Sequence, residues 1–299
     1  MFAFFPGWNK NEDTMKKENQ QVSRGHSLKR LSTKVGLAII LAIFIFWWLF
    51  PVYWMISSAF KVDVSMFILP PTWFFKPNLS NFRNLFATKG FPSYVVNSLI
   101  AALSSTAIAV FLGSLAGYGL ARGKIRRKND LAFWMITTRM APIVGVMLPL
   151  YILFGKFRLV GTLQALILAY TTFNLPFAVW LMRGFFLEIP RDVEEAALVD
   201  GCTKLQSFFR IALPLAKPGL VAMGALCFMF AWNDYAFAVV FTSGSTQTLP
   251  VACQRLMTEY GIVWGQVMTT GIILVMPVFF LGVFIRKYLV RGLTMGAIR

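Results

Sequence analysis

Three small groups of residues stand out from an otherwise apolar sequence. The first is Arg139, flanked by Thr137, Thr138 and Pro142 inside a long hydrophobic run. A guanidinium at membrane depth costs roughly 2.5–3.5 kcal/mol on insertion scales, so something must compensate it. Three fates are open to it: an acid on a partner protein, a solute, or snorkelling to an interface. The second group is Tyr170, Thr171, Thr172 and Asn174, just before Pro176, together with Trp232, Asn233, Asp234 and Tyr235. Hydroxyls and amides beside aromatic rings suit sugars, whose OH edges need partners and whose C–H faces stack; the plainer alternative is that each side chain bonds a neighbouring helix. Arg139, Tyr170, Thr172, Asn174, Trp232, Asn233 and Asp234 are the candidates for a translocation path. The third group is acidic and alanine-rich, running from Glu188 to Gly201.

Catalytic and metal chemistry have little to work with. The single histidine, His26, lies in a polar segment, and Cys202, Cys227 and Cys253 are too far apart for a zinc-type cluster or a disulfide framework. A phosphate-binding loop needs Gly-x-x-x-x-Gly-Lys-[Ser/Thr], so that backbone amides cradle phosphates. The nearest approach, Gly117 to Lys124, has Tyr118 and Ile125 at two of the wrong places. The expectation is a chain that is not an enzyme, with no catalytic residue, no metal and no cofactor of its own.

The elements that must position these groups are membrane helices. Of 299 residues, 57% are hydrophobic and only 14% charged, outside the range of soluble domains at roughly 45–50% and about 25%. A helix crosses the hydrocarbon core with about 20 apolar residues. Six such runs occur, at about 36–60, 94–120, 131–154, 163–187, 217–241 and 266–285. The first follows a polar segment too long for a signal peptide and is expected to be a retained span. Gly113 and Gly117 lie one turn apart on one helix face, where two helices can approach closely. Lysines and arginines gather in the segment before the first run, in the second-to-third and fourth-to-fifth connections, and after the last run. The positive-inside rule therefore puts both termini in the cytoplasm, as an even number of spans requires. The net charge of +17 is thus distributed by membrane side, unlike the continuous basic face of a nucleic-acid binder. The expected fold is all-α, a polytopic integral membrane protein with six transmembrane helices, residues 1–34 forming a cytoplasmic tail and 35–299 the membrane domain.

The fourth-to-fifth connection, residues 188–219, is unlike the others. Pro190 breaks the preceding helix, and Asp192 with Glu195 fits an acidic capping box opening a short helix. Val193, Ala196 and Ala197 share a face, and Gly201 stands where a left-handed residue ends a helix. Phe208, Phe209 and Leu213 are available for burial in the turn that follows, and Pro218 suits the start of the fifth span. The result is a short helix along the membrane, its alanines outward for a close approach by another protein, with Glu194, Glu195 and Asp200 offering charge to a basic partner. A lid on the bundle is the alternative.

Glu195-Ala196-Ala197, Asp200-Gly201, Ile211, Leu213-Pro214 and Pro218-Gly219 together resemble the EAA loop of ABC importer permeases. The resemblance continues through Phe230-Ala-Trp-Asn-Asp234 and the ending from Arg291 to Arg299, and is similar to the six-span, maltose-type permease subunit of the carbohydrate subfamily, from about residue 36 onward. What it implies is the type I permease fold in a bacterial-type plasma (inner) membrane. The implied partners are a second permease in a heterodimer, two ABC ATPase subunits that bind ATP and Mg, and an extracytoplasmic solute-binding protein. Lipid surrounds the chain, the solute is a carbohydrate, and no nucleic acid is involved. Glu194, Glu195, Ala196, Ala197, Asp200 and Gly201 would form the helix that docks on the ATPase. The tail, with Gly292, Leu293, Thr294 and Gly296, would reach between the ATPase subunits. The same machinery importing a polyol, glycerol phosphate or an acidic oligosaccharide stays open because of Arg139. An ion-coupled secondary transporter is the rival of another class; it would need intramembrane acids, of which Asp234 is the only candidate.

Overall fold

The computed structural model describes the backbone of residues 8–88, 90–258 and 261–295, and side chains from 34 to 286 save positions 64, 89 and 258–260. The chain divides into two units, residues 1–57 and 58–299. Among its described residues the first unit is a single helix, the body of α1 (Trp8–Ala59), so that part of the polar 1–34 segment is helical from Trp8. Its apolar part, Lys34–Ala59, is long enough to span a membrane, and Phe44 and Phe46 meet Trp48 and Phe50 one turn on, with ring centres 5.9 Å apart in each pair.

The second unit begins with the short helices α2 (Asp63–Met66) and α3 (Ser80–Ala87), followed by α4 (Phe91–Arg122). Next come α5 (Lys128–Thr138), α6 (Ile143–Lys156) and α7 (Leu163–Glu188). The loop helices are α8 (Arg191–Val199) and α9 (Lys204–Ser207), a π-helical turn Phe208–Ala212, and α10 (Leu213–Leu215). Then follow α11 (Lys217–Trp232), α12 (Ala236–Phe241), a 3-10 turn Gly244–Thr246 and α13 (Leu249–Arg255). A hairpin of β1 (Met257–Thr258) and β2 (Gly261–Ile262) leads into α14 (Trp264–Met295). Among the described residues the structure is all-α apart from that hairpin and an isolated bridge between Gly161 and Thr242. Among the described residues four helices can cross a membrane alone, or up to six spans if each of two bent pairs counts as one.

Two of the expected runs are not continuous helices. The third turns by 90° between α5 and α6. Pro142 stands at the start of α6, and a proline drives the residue before it out of helical geometry. Arg139, expected inside a span, is the residue that ends α5, at the bend of this pair. The fifth run stops at Trp232 and resumes as α12. There an Asp234 carboxylate oxygen accepts from the amides of Phe237 (2.9 Å) and Ala238 (3.3 Å), taking up donors that open α12. The other runs match α1, α4, α7 and α14.

Helices α4 and α7 form the spine. A Cβ on Gly113 would stand 2.6 Å from Ala178 Cβ, and one on Gly117 2.9 Å from the Arg183 nitrogen, so glycine lets the two backbones touch. Gly219 likewise seats α11 under the Phe185 ring. On one side of the bundle Tyr170, Trp232, Phe237, Phe241 and Leu249 make one core; towards the α7–α11 connection Met182, Phe186, Phe208 and Met223 make another. The opposite loops are fastened by Asp63, which accepts from Gly265 N–H at 2.9 Å, and by Asn81, whose amide donates to the carbonyls of Ala59 and Lys61.

Candidate functional site

The loop after α7 folds as a short helix, with corrections in detail. Pro190 is the residue before its first turn and no side chain caps it. The capping box expected of Asp192 and Glu195 does not form, because the helix starts at Arg191 and Asp192 already lies inside the first turn. Asp192 and Glu194 there still meet the positive end of the helix dipole. At the other end Gly201, at φ +87°, donates to Leu198 O, and Cys202 N–H donates to Ala197 O. That is the two-bond glycine stop expected from the sequence.

The faces of α8 are distributed differently from the expectation. Val193 and Ala196 are outward, with Glu195, Leu198, Val199 (88% exposed) and Asp200. Ala197 (7% exposed) and Glu194 (6%) turn inward. Glu194 therefore offers no free charge to another protein. Its Oε1 accepts from Arg122 Nε at 2.8 Å and pairs with Arg122 Nη2 at 2.7 Å, and its Oε2 accepts from the Tyr118 hydroxyl at 2.7 Å. Arg122 also donates to the carbonyl of Ile189 at 2.7 Å, the residue joining α7 to α8. Phe208 lies under this cluster, its ring centre 4.8 Å from that of Tyr118, and is buried; Phe209, expected to be buried, is half-exposed. A strut of one ion pair and two further hydrogen bonds thus ties α8 to the end of α4 and to the α7 exit.

Tyr118 and Arg122 were not among the residues singled out, although one turn separates them at a helix end, where basic residues are favoured. The capping box of this loop sits at Thr203 and Gln206, with both reciprocal bonds made, and its Thr-x-x-Gln spacing is readable in the sequence. Of the tail residues, Gly292, Leu293 and Thr294 fall in the α14 backbone with their side chains outside the described residues; Gly296 lies outside altogether.

The residues proposed for the path divide between two cavities. Tyr170, Asn174, Asn233 and Asp234 line one of about 410 Å³. Thr172 and Arg139 line another of about 350 Å³. Phe173 and Phe237 belong to both walls. Trp232 lines neither: it is 1% exposed and its indole N–H donates to Leu274 O at 2.9 Å, closing α11 on α14. Asn174 donates to Cys227 O at 3.2 Å, while its buried side-chain oxygen has no partner among the described residues. The Tyr170 hydroxyl reaches the Asp234 carbonyl at 3.5 Å. Arg139 meets three rings, its guanidinium carbon 4.8 Å from the centre of Phe173, 4.7 Å from Phe177 and 4.2 Å from Phe230. At about 1 kcal/mol each, such contacts are of the same order as the insertion cost of the charge. The three rings were not anticipated, although Phe173 and Phe177 sit one helical turn apart. Among the described residues no group of three or more His, Cys, Asp or Glu is placed to hold a metal.

Comparison with known proteins places the sequence and the fold. The family model described as "binding-protein-dependent transport system inner membrane component" matches residues 109–295. A probable ABC transporter permease protein y4oR of Sinorhizobium fredii is 33% identical over 270 residues, 90% of this chain and 97% of that one. The sulfoquinovosyl glycerol transport system permease protein SmoH of Agrobacterium fabrum is 32% identical, covering 84% and 89%. The trehalose/maltose transport system permease protein MalG of Thermococcus litoralis is 32% identical, covering 92% and 99%. Among solved structures, a chain of a bacterial ABC transporter involved in import of the acidic polysaccharide alginate superposes with a TM-score of 0.70 at 21% identity, covering 85% of this chain and 95% of that one, and shares its fold.

Proposed function

Because the chain belongs to the inner membrane components of binding-protein-dependent transport systems, we propose that it is one permease subunit of an ATP-driven importer for a carbohydrate. It pairs with a second permease to enclose the path, receives solute from an extracytoplasmic binding protein, and is driven by two ABC ATPase subunits on the cytoplasmic side. The relatives named for trehalose, maltose and sulfoquinovosyl glycerol support the solute class.

The observation that carries the reading is the two-faced α8. Its outward face combines small Ala196, apolar Val193 and Val199, and acidic Glu195 and Asp200, a surface another protein can approach closely. Its inward face is bolted to the transmembrane spine through Glu194, Arg122 and Tyr118. A motor that moves α8 therefore moves the ends of α4 and α7, and the bundle passes between inward- and outward-facing states as rigid elements. The tail after Arg291 reaches the ATPases as a second contact.

In proteoliposomes holding both permeases and the ATPases, carbohydrate uptake is expected to require both ATP and the binding protein. Uptake that persists without ATP and collapses with an ionophore would instead establish ion coupling.

A further inference from the structure

Arg139 takes no part in the α4–α7 packing or in the strut under α8, yet three aromatic side chains converge on it. Rings hold a guanidinium by its face; the fork of N–H donors lies in the plane and stays available. Among the described residues no acid forms an ion pair with Arg139, and its guanidinium lies against three rings, with the Cys227 thiol also within electrostatic reach. The side chain lines a cavity beside Thr138 and Thr172. Those hydroxyls donate to the carbonyls of Met135 and Leu168 within their own helices, which leaves their oxygens able only to accept. Phe173 and Phe230, two of the three rings, also line the larger cavity with Asn174 and Asn233. Asp234, the acid on that larger wall, turns one oxygen, Oδ1, to the amides that open α12. The result is a cation held by aromatic rings beside a mostly apolar cavity whose wall also carries the amides of Asn174 and Asn233. Low-dielectric surroundings make its attraction for an anion stronger than it would be in water, and a planar fork matches a carboxylate, sulfonate or phosphate.

We infer that the Arg139 cage is a binding site for an oxyanion carried by the transported solute, so that the imported carbohydrate is acidic. The inference rests on the permease reading above and narrows it: Arg139 binds the charged group, while the aromatic and amide wall of the larger cavity meets the rest of the sugar. A permanent pair with an acid of the second permease is the competing role, and it predicts a different pattern of loss.

The test uses the complete importer with its binding protein in proteoliposomes. The probes are oligosaccharides of the gluco, galacto and manno series, each supplied as the free uronate, its methyl ester and the neutral parent. Wild type is expected to carry a uronate in preference to its ester and parent. Arg139→Gln is expected to lower the uronate-to-ester uptake ratio about tenfold, the scale of one lost charge-assisted hydrogen bond, with Arg139→Lys in between. Because the binding protein is common to wild type and variant, its own selectivity cancels in that comparison. Phe230→Leu keeps the cation but opens the cage, and is expected to lower the same ratio, which decides the matter if Arg139→Gln does not assemble. Preference of wild type for a neutral parent would overturn the inference while leaving the permease reading intact. So would an equal fall for uronate and ester with Arg139→Gln, the pattern expected of a structural pair between permeases. Carriage of no panel member in any form would remove the carbohydrate reading itself, and the inference with it.

Discussion

Glu194 sits in the EAA loop beside the residues that resemble a docking motif, yet it is committed inward. Its carboxylate accepts from Arg122 and Tyr118, and the side chains of the ion pair are only 13% and 8% exposed. Sheltered pairs of this kind add modest net stability, but removing one partner strands the other charge and costs about 3–5 kcal/mol. Arg122→Met is therefore expected to lower the thermal stability of the solubilised complex strongly, and Arg122→Met with Glu194→Leu to recover much of the loss. Thermal denaturation followed by size-exclusion profile reads both; a double variant no more stable than the single one would mean that the two side chains act separately. The inward turn of Glu194 was not legible in the sequence. Over nine residues of helix, periodicity cannot tell which of Glu194 and Glu195 faces the bundle until its partner is known, and Arg122 lies 72 residues earlier. Arg139 shows the same limit. The need for compensation could be read from its place in an apolar run, but not that three rings would supply it.

Among the helices, the long apolar elements were legible because hydropathy over a window the width of a bilayer is a strong signal. The breaks were not, because one or two local bonds decide them: the Asp234 carboxylate on α12, and Pro142 at the mouth of α6. Close approach of α4 and α7 was written in Gly113 and Gly117. Their sequence neighbour Gly119 gives a control, since a Cβ there would meet nothing within 4 Å. Gly113→Ala and Gly117→Ala are expected to destabilise the bundle by about 1–3 kcal/mol through overpacking. Gly119→Ala should be neutral or slightly stabilising, as alanine favours a helix. The same thermal assay separates them, and equal effects at Gly117 and Gly119 would count against the packing account. Gly201 is a different case. Its φ of +87° meets no neighbour, so Gly201→Ala acts through backbone strain alone, at about 1–2 kcal/mol.

Over the whole molecule, force has to pass from a soluble motor to a membrane path. Most of the +17 net charge records orientation, while the function depends on a small acidic and apolar helix in the fourth-to-fifth connection. Variants of the strut and of the outward face should fail differently. Arg122→Met is expected to keep the ATPase bound but to lower solute moved per ATP hydrolysed, because the docked helix no longer pulls on α4. Variants at the outward face are expected to lose the motor itself. The most direct measurement is therefore retention of the ATPase subunits on the purified permease pair, compared among wild type, Ala196→Asp and Val199→Asp. Both substitutions lie on exposed positions of α8 and disturb no core contact. The outward-face account predicts full retention with wild type and loss with each variant while the permease pair stays assembled. Undiminished retention with both would contradict it.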